Sequence, residues 1–328
     1  MFCNKFTDGR KPKIVLLDAQ TVGEEKDLAP LADLGELVIH PLTAPGEIVS
    51  RIGDADIVLT NKVALGEAEM AAAPKLGLIG IFATGYNIID LEAARRRNIV
   101  VCNVKGYSTQ SVVQHVFGLL IALASGICRH NQAVQDGEWA DSPTFSFWKQ
   151  PTIEIAGKTI GIVGFGDIGS AVGRVAHAFG MQVLAYTPRP KPAPDYSPFA
   201  FVELDELFAR SDYISLNCPL TAETAGMINL DSIARMKKSA CLINCGRGGL
   251  VNEADLRQAL EQGLLAGAGV DVTQIEPMPR ESPLFGAPNC IITPHIAWAT
   301  VEARARLIKA VAVNIRNYLA GAPSSVVS

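Results

Sequence analysis

Three side chains that can bind and protonate a small acid each follow an apolar, strand-like run in the second half of the chain: Arg247, Glu276 and His295. An arginine can hold a carboxylate through two parallel hydrogen bonds, and a histidine can transfer a proton near neutral pH. A glutamate beside the histidine would orient the ring and stabilise its protonated form. Because the carboxyl ends of parallel strands share one edge of a sheet, we predict that the three form a catalytic site.

Taken singly, each residue also has an ordinary structural interpretation. Arg-Gly turns are common on protein surfaces, and a loop glutamate is usually a solvated charge. The other histidines, His40, His115, His130 and His177, are interpreted as structural, because none lies just past a strand of this region. It is the coincidence of three suitable groups at neighbouring strand ends that favours catalysis.

The element that would bring a cofactor to these side chains is the stretch 159–169, TIGIVGFGDIG. It predicts a buried strand, a turn that fits G-x-G-x-x-G, and a helix, and a second strand follows at residues 183–186. In that context the glycines allow a tight turn and a close approach to a pyrophosphate, which would lie on the helix N-terminus. The predicted cofactor-binding residues of the turn are Gly164, Phe165, Gly166, Asp167, Ile168 and Gly169.

Together these groups form a carboxylate anchor, a proton donor and a site for a hydride-carrying dinucleotide. That is the set needed to reduce a 2-oxo acid to a 2-hydroxy acid.

Continuous apolar runs alternate with helical segments through most of the chain, which predicts parallel sheets covered on both faces. The first hundred residues form one such α/β unit without a glycine fingerprint. A second unit runs from about residue 155 to the strand at 290–292. Residues 116–128 form the longest apolar run and predict a buried helix, and residues 301–319 predict a helix that returns to the first unit.

Composition narrows the function classes. A chain of 328 residues exceeds the size at which one core usually stops growing, so we expect two domains. A formal net charge of −4 argues against binding nucleic acid or a membrane surface. Residues 1–13 contain no apolar signal segment. The seven cysteines include no C-x-x-C pair, so we expect reduced thiols, a cytoplasmic location and no metal.

Over nearly its whole length the chain resembles the D-isomer-specific 2-hydroxyacid dehydrogenases. Five segments carry the resemblance: GIVGFGDIG, LNCPLTAETAGMIN, LINCGRGGLVNEADL, GAGVDVTQIEP and ITPHIAWAT. Further segments resemble the glycerate dehydrogenase (hydroxypyruvate reductase) branch: ATGYNIIDLEAA, GYSTQSVVQHVFGLL, GEWADSPTFSFW and HIAWAT.

The resemblance implies two doubly wound, Rossmann-like domains with a cleft between them. Residues 104–294 would form the dinucleotide-binding domain, inserted into a flavodoxin-like substrate domain made of residues 1–103 and 295–328. It also implies a homodimer and the NAD(P)-dependent interconversion of small D-2-hydroxy acids and 2-oxo acids, with hydroxypyruvate and glyoxylate as substrates.

The resemblance also implies roles for individual residues. Arg247 would bind the substrate, His295 would be the general acid/base and Glu276 its partner. Trp139 would reach the neighbouring subunit's substrate site, or else serve as a packing residue of a dimer arm. The backbone amides of a loop would hold the substrate carboxylate, and that loop consists of Ala83, Thr84, Gly85 and Tyr86. The remaining cofactor-binding positions are Cys218, Pro219, Leu220, Thr224, Cys245, Gly246 and Asp271, together with Arg247 and His295.

The chain departs from the family pattern at the end of the second strand of the nucleotide unit. Enzymes that use NAD carry Asp or Glu there, which bonds the ribose hydroxyls. This chain has Thr187-Pro188-Arg189, and the next carboxylate is Asp195. Thr187 would not repel a 2′-phosphate and Arg189 could pair with one, so NAD and NADP are both open, with the balance toward NADP.

Two other functions are compatible with this fold. Some proteins that share it are transcriptional corepressors, which bind dinucleotide as a regulatory ligand and recruit partners. The chain has no long disordered tail or charge block that would serve such recruitment. Oxidation of formate or phosphite on the same fold is a third alternative.

Overall fold

The structure is a computed structural model that describes residues 10–189 and 191–328. Cys3 and the other residues of 1–9, and Pro190, lie outside this range. Six cysteines fall within it, and all six are unpaired. Among the described residues no cluster of His, Cys, Asp or Glu side chains is arranged to hold a metal ion.

Internal contacts divide the chain into two compact units. One combines Met1–Ser108 with Ala299–Ser328, and the other is Thr109–Trp298. The sequence placed the two junctions at 103/104 and 294/295, and the structure has them slightly later, at 108/109 and 298/299.

The first unit is built on a parallel sheet of five short strands. They are β1 (Lys13–Leu16), β2 (Glu36–Ile39), β3 (Ile57–Thr60), β4 (Leu78–Ile81) and β5 (Val100–Cys102). Their order is β2-β1-β3-β4-β5, and all neighbours pair in parallel. β3, β4 and β5 are buried at every position, as expected of strands covered on both faces.

Helices from both ends of the chain cover this sheet. They are α1 (Ala29–Ala32), α2 (Ile48–Ile52), α3 (Glu67–Ala71), α4 (Leu91–Arg96) and the C-terminal helix (Val301–Leu319). The C-terminal helix begins where the side chain of Thr300 accepts a hydrogen bond from the N–H of Ala303 (3.2 Å). It buries Leu307, Val311 and Ile315 at helical spacing and contacts β4, so this part of the chain returns to the first unit.

The second unit is built on seven parallel strands. They are β6 (Thr159–Val163), β7 (Gln182–Tyr186), β8 (Phe199–Phe201), β9 (Tyr213–Leu216), β10 (Cys241–Asn244), β11 (Gly267–Val270) and β12 (Cys290–Ile292). Their order is β12-β11-β10-β9-β6-β7-β8. Two separate apolar clusters pack on the sheet. The two parallel sheets confirm the predicted α/β class with two Rossmann-like regions.

The helices of this unit are α5 (Thr109–Ser125), α6 (Ile127–Gln135), α7 (Asp167–Ala178), α8 (Leu204–Arg210), α9 (Leu230–Ile233) and α10 (Glu253–Glu261). The predicted buried helix was correct for residues 116–125 but wrong in continuing to residue 128. Gly126 has a left-handed conformation (φ 62°), which ends α5 and starts α6 at an angle of 60°. Among the described helices no single one is long and apolar enough to cross a membrane; only the bent α5–α6 pair meets that criterion of length and composition.

The strand β8 was not predicted, because it is three residues long and closes a proline-rich segment. Its phenylalanines stabilise it through ring contacts. The ring centres of Phe199 and Phe201 lie 4.9 Å apart, and that of Phe165 lies 5.2 Å from Phe199. This contact connects the edge strand to the glycine turn.

Candidate active site

The glycine turn after β6 leaves room for a ligand at one position and none at two others. Gly164 has φ 92°, and a Cβ there would lie 2.6 Å from the backbone nitrogen of Cys218. A Cβ on Gly169 would lie 2.1 Å from the carbonyl oxygen of Gly164. Gly166, which precedes α7, has nothing within 4 Å of its Cβ position. The turn therefore fits a pyrophosphate lying on the N-terminus of α7 beside Gly166.

A second loop lies against this turn. Residues 218–220 follow β9, and the N–H of Asn217 donates to the carbonyl of Val163 (2.7 Å). Thr224 shapes the loop by donating its hydroxyl to the carbonyl of Pro219 (2.8 Å). Burial raises the pKa of the Cys218 thiol, and Leu220 remains partly exposed. Cys218, Pro219 and Leu220 thus follow a strand end that is bonded to the glycine turn, and Thr224 supports their loop. Their place beside the adenosine of a cofactor stays a prediction.

The end of β7 carries no carboxylate. Thr187 is half-buried and Arg189 is exposed. Asp195, the next carboxylate in the chain, lies 3.5 Å from Arg174 in an exposed ion pair. A bound dinucleotide would meet one hydroxyl and one cation at this strand end.

A buried asparagine, overlooked in the sequence, shapes the turn that presents Arg247. Asn244 ends β10 and is fully buried. Its Oδ1 accepts from the N–H of Gly246 (3.0 Å), and its Nδ2 donates to the carbonyl of Arg247 (2.9 Å). Arg247 itself is exposed and donates to the carbonyl of Gly246 (2.8 Å). Burial also raises the pKa of the neighbouring Cys245 thiol, so that thiol is not a reactive thiolate.

Asp271, at the end of β11, anchors the segment that carries the catalytic histidine candidate. It is 1% exposed. Its Oδ1 accepts from the Thr293 hydroxyl (2.6 Å) and the Ile296 N–H (2.9 Å), and its Oδ2 from the Ala297 N–H (2.8 Å). Both carboxyl oxygens are therefore used to hold residues 293–297, a role the sequence did not show. Its predicted place beside a nicotinamide stays a prediction.

His115, interpreted from the sequence as structural, lies beside this buried carboxyl. Its Nε2 is 2.8 Å from the Thr293 hydroxyl and 3.4 Å from Asp271 Oδ1. It comes from α5 and not from a strand end, so its position in the sequence gave no sign of its proximity to the site. The imidazole contributes to the same network that holds residues 293–297.

His295 has a left-handed backbone conformation (φ 54°), which is rare for a residue with a side chain. Its N–H donates to the carbonyls of Asp271 (2.8 Å) and Thr293 (3.0 Å), which stabilise this conformation. Its Nδ1 lies 2.6 Å from Glu276 Oε2. Since a carboxylate only accepts, Nδ1 carries the proton in this bond and Nε2 remains for a substrate.

Arg247, Glu276 and His295 thus follow β10, β11 and β12, which are adjacent strands of one sheet. Glu276 and His295 are in direct contact, and both side chains are about one-third exposed. This edge can bind an anion, hold an oriented imidazole and accept a dinucleotide on the glycine turn of the same sheet.

In the first unit, the loop after β4 contains the predicted carboxylate-binding residues Ala83, Thr84, Gly85 and Tyr86. Asn103 holds it, donating from Nδ2 to the carbonyl of Thr84 (2.7 Å), and the Thr84 hydroxyl donates to the carbonyl of Val104 (2.8 Å). Among the described residues, the N–H groups of Thr84 and Gly85 have no protein acceptor. They are available to an anion.

The segment after α6 exposes large apolar side chains. Trp139 is 52% exposed, Phe145 92% and Trp148 72%. The indole N–H of Trp139 donates to the carbonyl of Phe145 (3.0 Å), so the segment is partly ordered by its own contacts.

Known proteins resemble the chain both in sequence and in fold. The sequence profile of the D-isomer specific 2-hydroxyacid dehydrogenase NAD-binding domain matches residues 117–297. The chain is 43% identical over 320 residues to a hydroxypyruvate reductase of Blautia hydrogenotrophica, covering 96% of this chain and 99% of that one. It is 40% identical over 285 residues to a glycerate dehydrogenase of Methylorubrum extorquens, covering 86% and 88%. Among solved structures, an NADPH-dependent glyoxylate/hydroxypyruvate reductase of Sinorhizobium meliloti, in complex with NADP and malonate, superposes with a TM-score of 0.83 at 27% identity, covering 97% of both chains.

Proposed function

The chain belongs to the D-isomer-specific 2-hydroxyacid dehydrogenase family, in its glycerate dehydrogenase branch, and from this premise we propose that it interconverts hydroxypyruvate with D-glycerate and glyoxylate with glycolate. The family makes it a nicotinamide-dependent oxidoreductase that acts on the CH–OH group of hydroxy acids. The names of the relatives support short, polar substrates. They do not favour the corepressor-like alternative.

In the proposed reduction, the 2-oxo acid gains a hydride at C2 and a proton on the C2 oxygen. When bound, the reduced nicotinamide supplies the hydride. His295 donates the proton from Nε2, because Nδ1 is engaged by Glu276 at 2.6 Å. The carbon–oxygen double bond becomes a single bond, and the 2-hydroxy acid leaves a neutral imidazole that must be reprotonated from solvent.

Arg247 binds the substrate carboxylate in this proposal. Its guanidinium is exposed at the same sheet edge, on a turn that Asn244 holds rigid. A bidentate pair would fix the plane of the acid, which a lysine ammonium could not do. The corresponding role of Ala83, Thr84, Gly85 and Tyr86 stays a prediction, supported by the available N–H groups of Thr84 and Gly85.

The observation that carries this proposal is the contact between Glu276 and His295 at strand ends next to Arg247. Initial rates with hydroxypyruvate, glyoxylate, pyruvate and phenylpyruvate, each with NADH and NADPH, test it. We expect the highest kcat/KM for hydroxypyruvate or glyoxylate. A higher value for phenylpyruvate would contradict the proposed substrate class, and dinucleotide binding without turnover would favour the binding-protein alternative.

For the cofactor, we propose a preference for NADP over NAD. Thr187 presents no negative charge to a 2′-phosphate, and Arg189, two residues further on, is exposed. The Sinorhizobium meliloti reductase, similar in fold, is NADPH-dependent.

We propose further that two copies of the chain form a homodimer through the segment after α6. Several exposed aromatic side chains on one short segment, here Trp139, Phe145 and Trp148, are typical of a protein interface. Trp139, on the same segment, would then lie close to the second copy. Sedimentation should give twice the 34.9 kDa chain mass, and a mass of one chain at micromolar concentration would contradict the dimer.

A further inference from the structure

A buried carboxyl group that the proposed reaction does not use begins helix α10. Glu253 is only 6% exposed. Asn252 caps the same helix by accepting from the N–H groups of Ala254 and Asp255 (3.1 and 3.2 Å), so Glu253 is not needed as the cap. An acidic side chain is rarely buried unless its oxygens are hydrogen-bonded, so its partners are informative.

Both oxygens of Glu253 bind the loop between β11 and β12. Oε1 accepts from the backbone N–H of Gln274 at 2.6 Å, and Oε2 accepts from the Ser282 hydroxyl at 3.1 Å. The side chain of Gln274 adds a third link, donating to the carbonyl of Val251 (2.9 Å). The loop that carries Glu276 is thereby fixed on both sides of that residue.

The same loop also lies directly on the turn that carries Arg247. A Cβ added to Gly248 would come within 2.0 Å of the carbonyl of Thr273 and 2.6 Å of the nitrogen of Gln274. Only a glycine permits this approach. The backbone at residues 273–274 is therefore held between Gly248 and the carboxyl of Glu253.

This fixed backbone directly determines where Glu276 lies. Oε1 of Glu276 accepts from the N–H of Thr273 (3.2 Å), and Oε2 binds His295 Nδ1 (2.6 Å). The Thr273 hydroxyl closes the turn by donating to the carbonyl of Ile275 (2.8 Å). A shift of the Gln274 backbone would move Glu276 and release the imidazole.

We propose that Glu253 is a positioning residue for the proton donor: it holds the loop 273–276 so that Glu276 orients His295. Glu253 itself touches no reacting atom. The inference rests on the proposed function, in particular on the role of Glu276.

A double-mutant cycle separates positioning from general structural support. The variants are Glu253→Ala, Glu276→Gln and the two combined, assayed with hydroxypyruvate and the preferred cofactor. We expect Glu253→Ala to lower kcat by about 10- to 10²-fold, the order of effect of a misplaced catalytic group, with the cofactor KM within about twofold of wild type. In the Glu276→Gln background, Glu253→Ala should lower kcat by less than about twofold, since the Glu276 carboxylate that Glu253 positions is already absent.

A conservative variant gives a second readout. Glu253→Gln keeps an acceptor for the Gln274 N–H. Most of the kcat lost in Glu253→Ala should therefore return in Glu253→Gln, with the cofactor KM unchanged.

Asp255 offers a matched control. It lies in the same first turn of α10, and its carboxyl accepts from the N–H of Leu230 (3.1 Å) at α9, away from the catalytic loop. Asp255→Ala should lower the melting temperature and leave kcat unchanged. If Glu253→Ala does not fold, Ser282→Ala takes its place in the cycle.

The outcomes distinguish failure of the positioning role of Glu253 from failure of the proposed catalytic function. Equal losses from Glu253→Ala in both backgrounds, or no loss in the wild-type background, would overturn the positioning role. Wild-type activity in Glu276→Gln alone would instead overturn the proposed role of Glu276.

Discussion

Turns at the carboxyl edges of the two parallel sheets differ in what their backbone N–H groups can bind. In the first unit, Asp18 follows β1 and is 2% exposed. Its carboxyl accepts from the N–H groups of Asn61, Lys62 and Val63, at 3.0, 2.6 and 3.3 Å, in the turn after β3. A side chain of the protein thus occupies the place that an external anion could take.

In the second unit, the turn after β6 carries no such carboxyl. Gly164 and Gly169 bring the strand and α7 together, while the space beside Gly166 stays open. The positive end of the α7 dipole therefore faces an available position. Two sheets of the same class differ because one anion-binding turn is filled from within and the other is left for a ligand.

The largest effect should come from removing the proton donor of the second unit. His295→Gln should lower kcat for reduction by about 10²–10⁴-fold, the usual contribution of general acid catalysis. Its dinucleotide Kd should stay near wild type, because the glycine turn is untouched. Steady-state rates and a fluorescence titration measure both, and a variant with a third of the wild-type turnover would refute the assignment.

The role of the open position beside Gly166 can be tested by placing a side chain there. The Cβ of a Gly166→Val variant would meet no protein atom within 4 Å, and the position needs no left-handed backbone, so the free energy of unfolding should change by less than about 1 kcal/mol. Dinucleotide affinity should fall by about 10- to 10²-fold, equivalent to about 1.4–2.8 kcal/mol.

Gly46→Val in the first unit is the matched control, since its Cβ position is equally open. It should leave the Kd unchanged. Unaltered dinucleotide binding in Gly166→Val would show that the turn does not receive the pyrophosphate.

The role of Asp18 in the turn after β3 can be tested by replacing its carboxyl group with an amide. Asp18→Asn directs an amide NH₂ toward backbone donors, so it should cost about 1–3 kcal/mol of stability without changing dinucleotide affinity. Thermal unfolding of both proteins measures the loss. A dinucleotide Kd that changes with this substitution would break the contrast between the two edges.

The pH dependence of this loss has a definite sign. Burial raises the pKa of Asp18, although the three backbone N–H groups oppose it. The folded state then binds the proton more tightly than the unfolded state, so the wild-type protein gains stability as the pH falls toward the raised pKa. The amide of the Asp18→Asn variant does not titrate, so the variant gains no stability over the same range. The difference in melting temperature should widen between pH 7 and pH 5, and a narrowing would mean that the backbone bonds outweigh burial.

Sequence patterns predicted those features that depend on neighbours in the chain. The C-terminal helix was expected at residues 301–319 and forms at Val301–Leu319, because apolar spacing and the Thr300 cap are local signals. The glycine turn and the strand before it were likewise local. β8 was missed because three residues are too few to show a period, and its support comes from Phe165, far away in the chain.

The supports of the site were not predictable in the same way. Asp271 and Glu253 each bind backbone groups of a distant segment, and no spacing in the sequence reveals such pairs. Asn244 binds its near neighbours Gly246 and Arg247, but its burial is visible only in the structure. What distinguishes these residues is a buried polar side chain at a strand end or helix start, which becomes meaningful once its partners are known.

The smallest expected effect concerns which dinucleotide the open turn selects. β7 ends in Tyr186, and the next residue is Thr187, where a carboxylate would bond the adenosine ribose and repel a 2′-phosphate. Restoring that charge with Thr187→Asp should shift the ratio of kcat/KM for NADH over NADPH toward NADH by about tenfold or more, since one charged hydrogen bond is worth about 1.5–3 kcal/mol.

Arg189→Ala tests whether the site prefers NADPH because Arg189 binds its 2′-phosphate, or merely accepts both cofactors. If the guanidinium pairs with the 2′-phosphate, its removal should weaken NADPH by about one decade and leave NADH unchanged, because NADH carries no group for it to bind. Arg174→Ala is the control, since that arginine is also exposed but pairs with Asp195 on the protein itself. Unchanged NADPH kinetics in Arg189→Ala would mean that the side chain remains in solvent. Both cofactors would then be held by the glycine turn alone, and the second unit would bind NAD and NADP without selectivity.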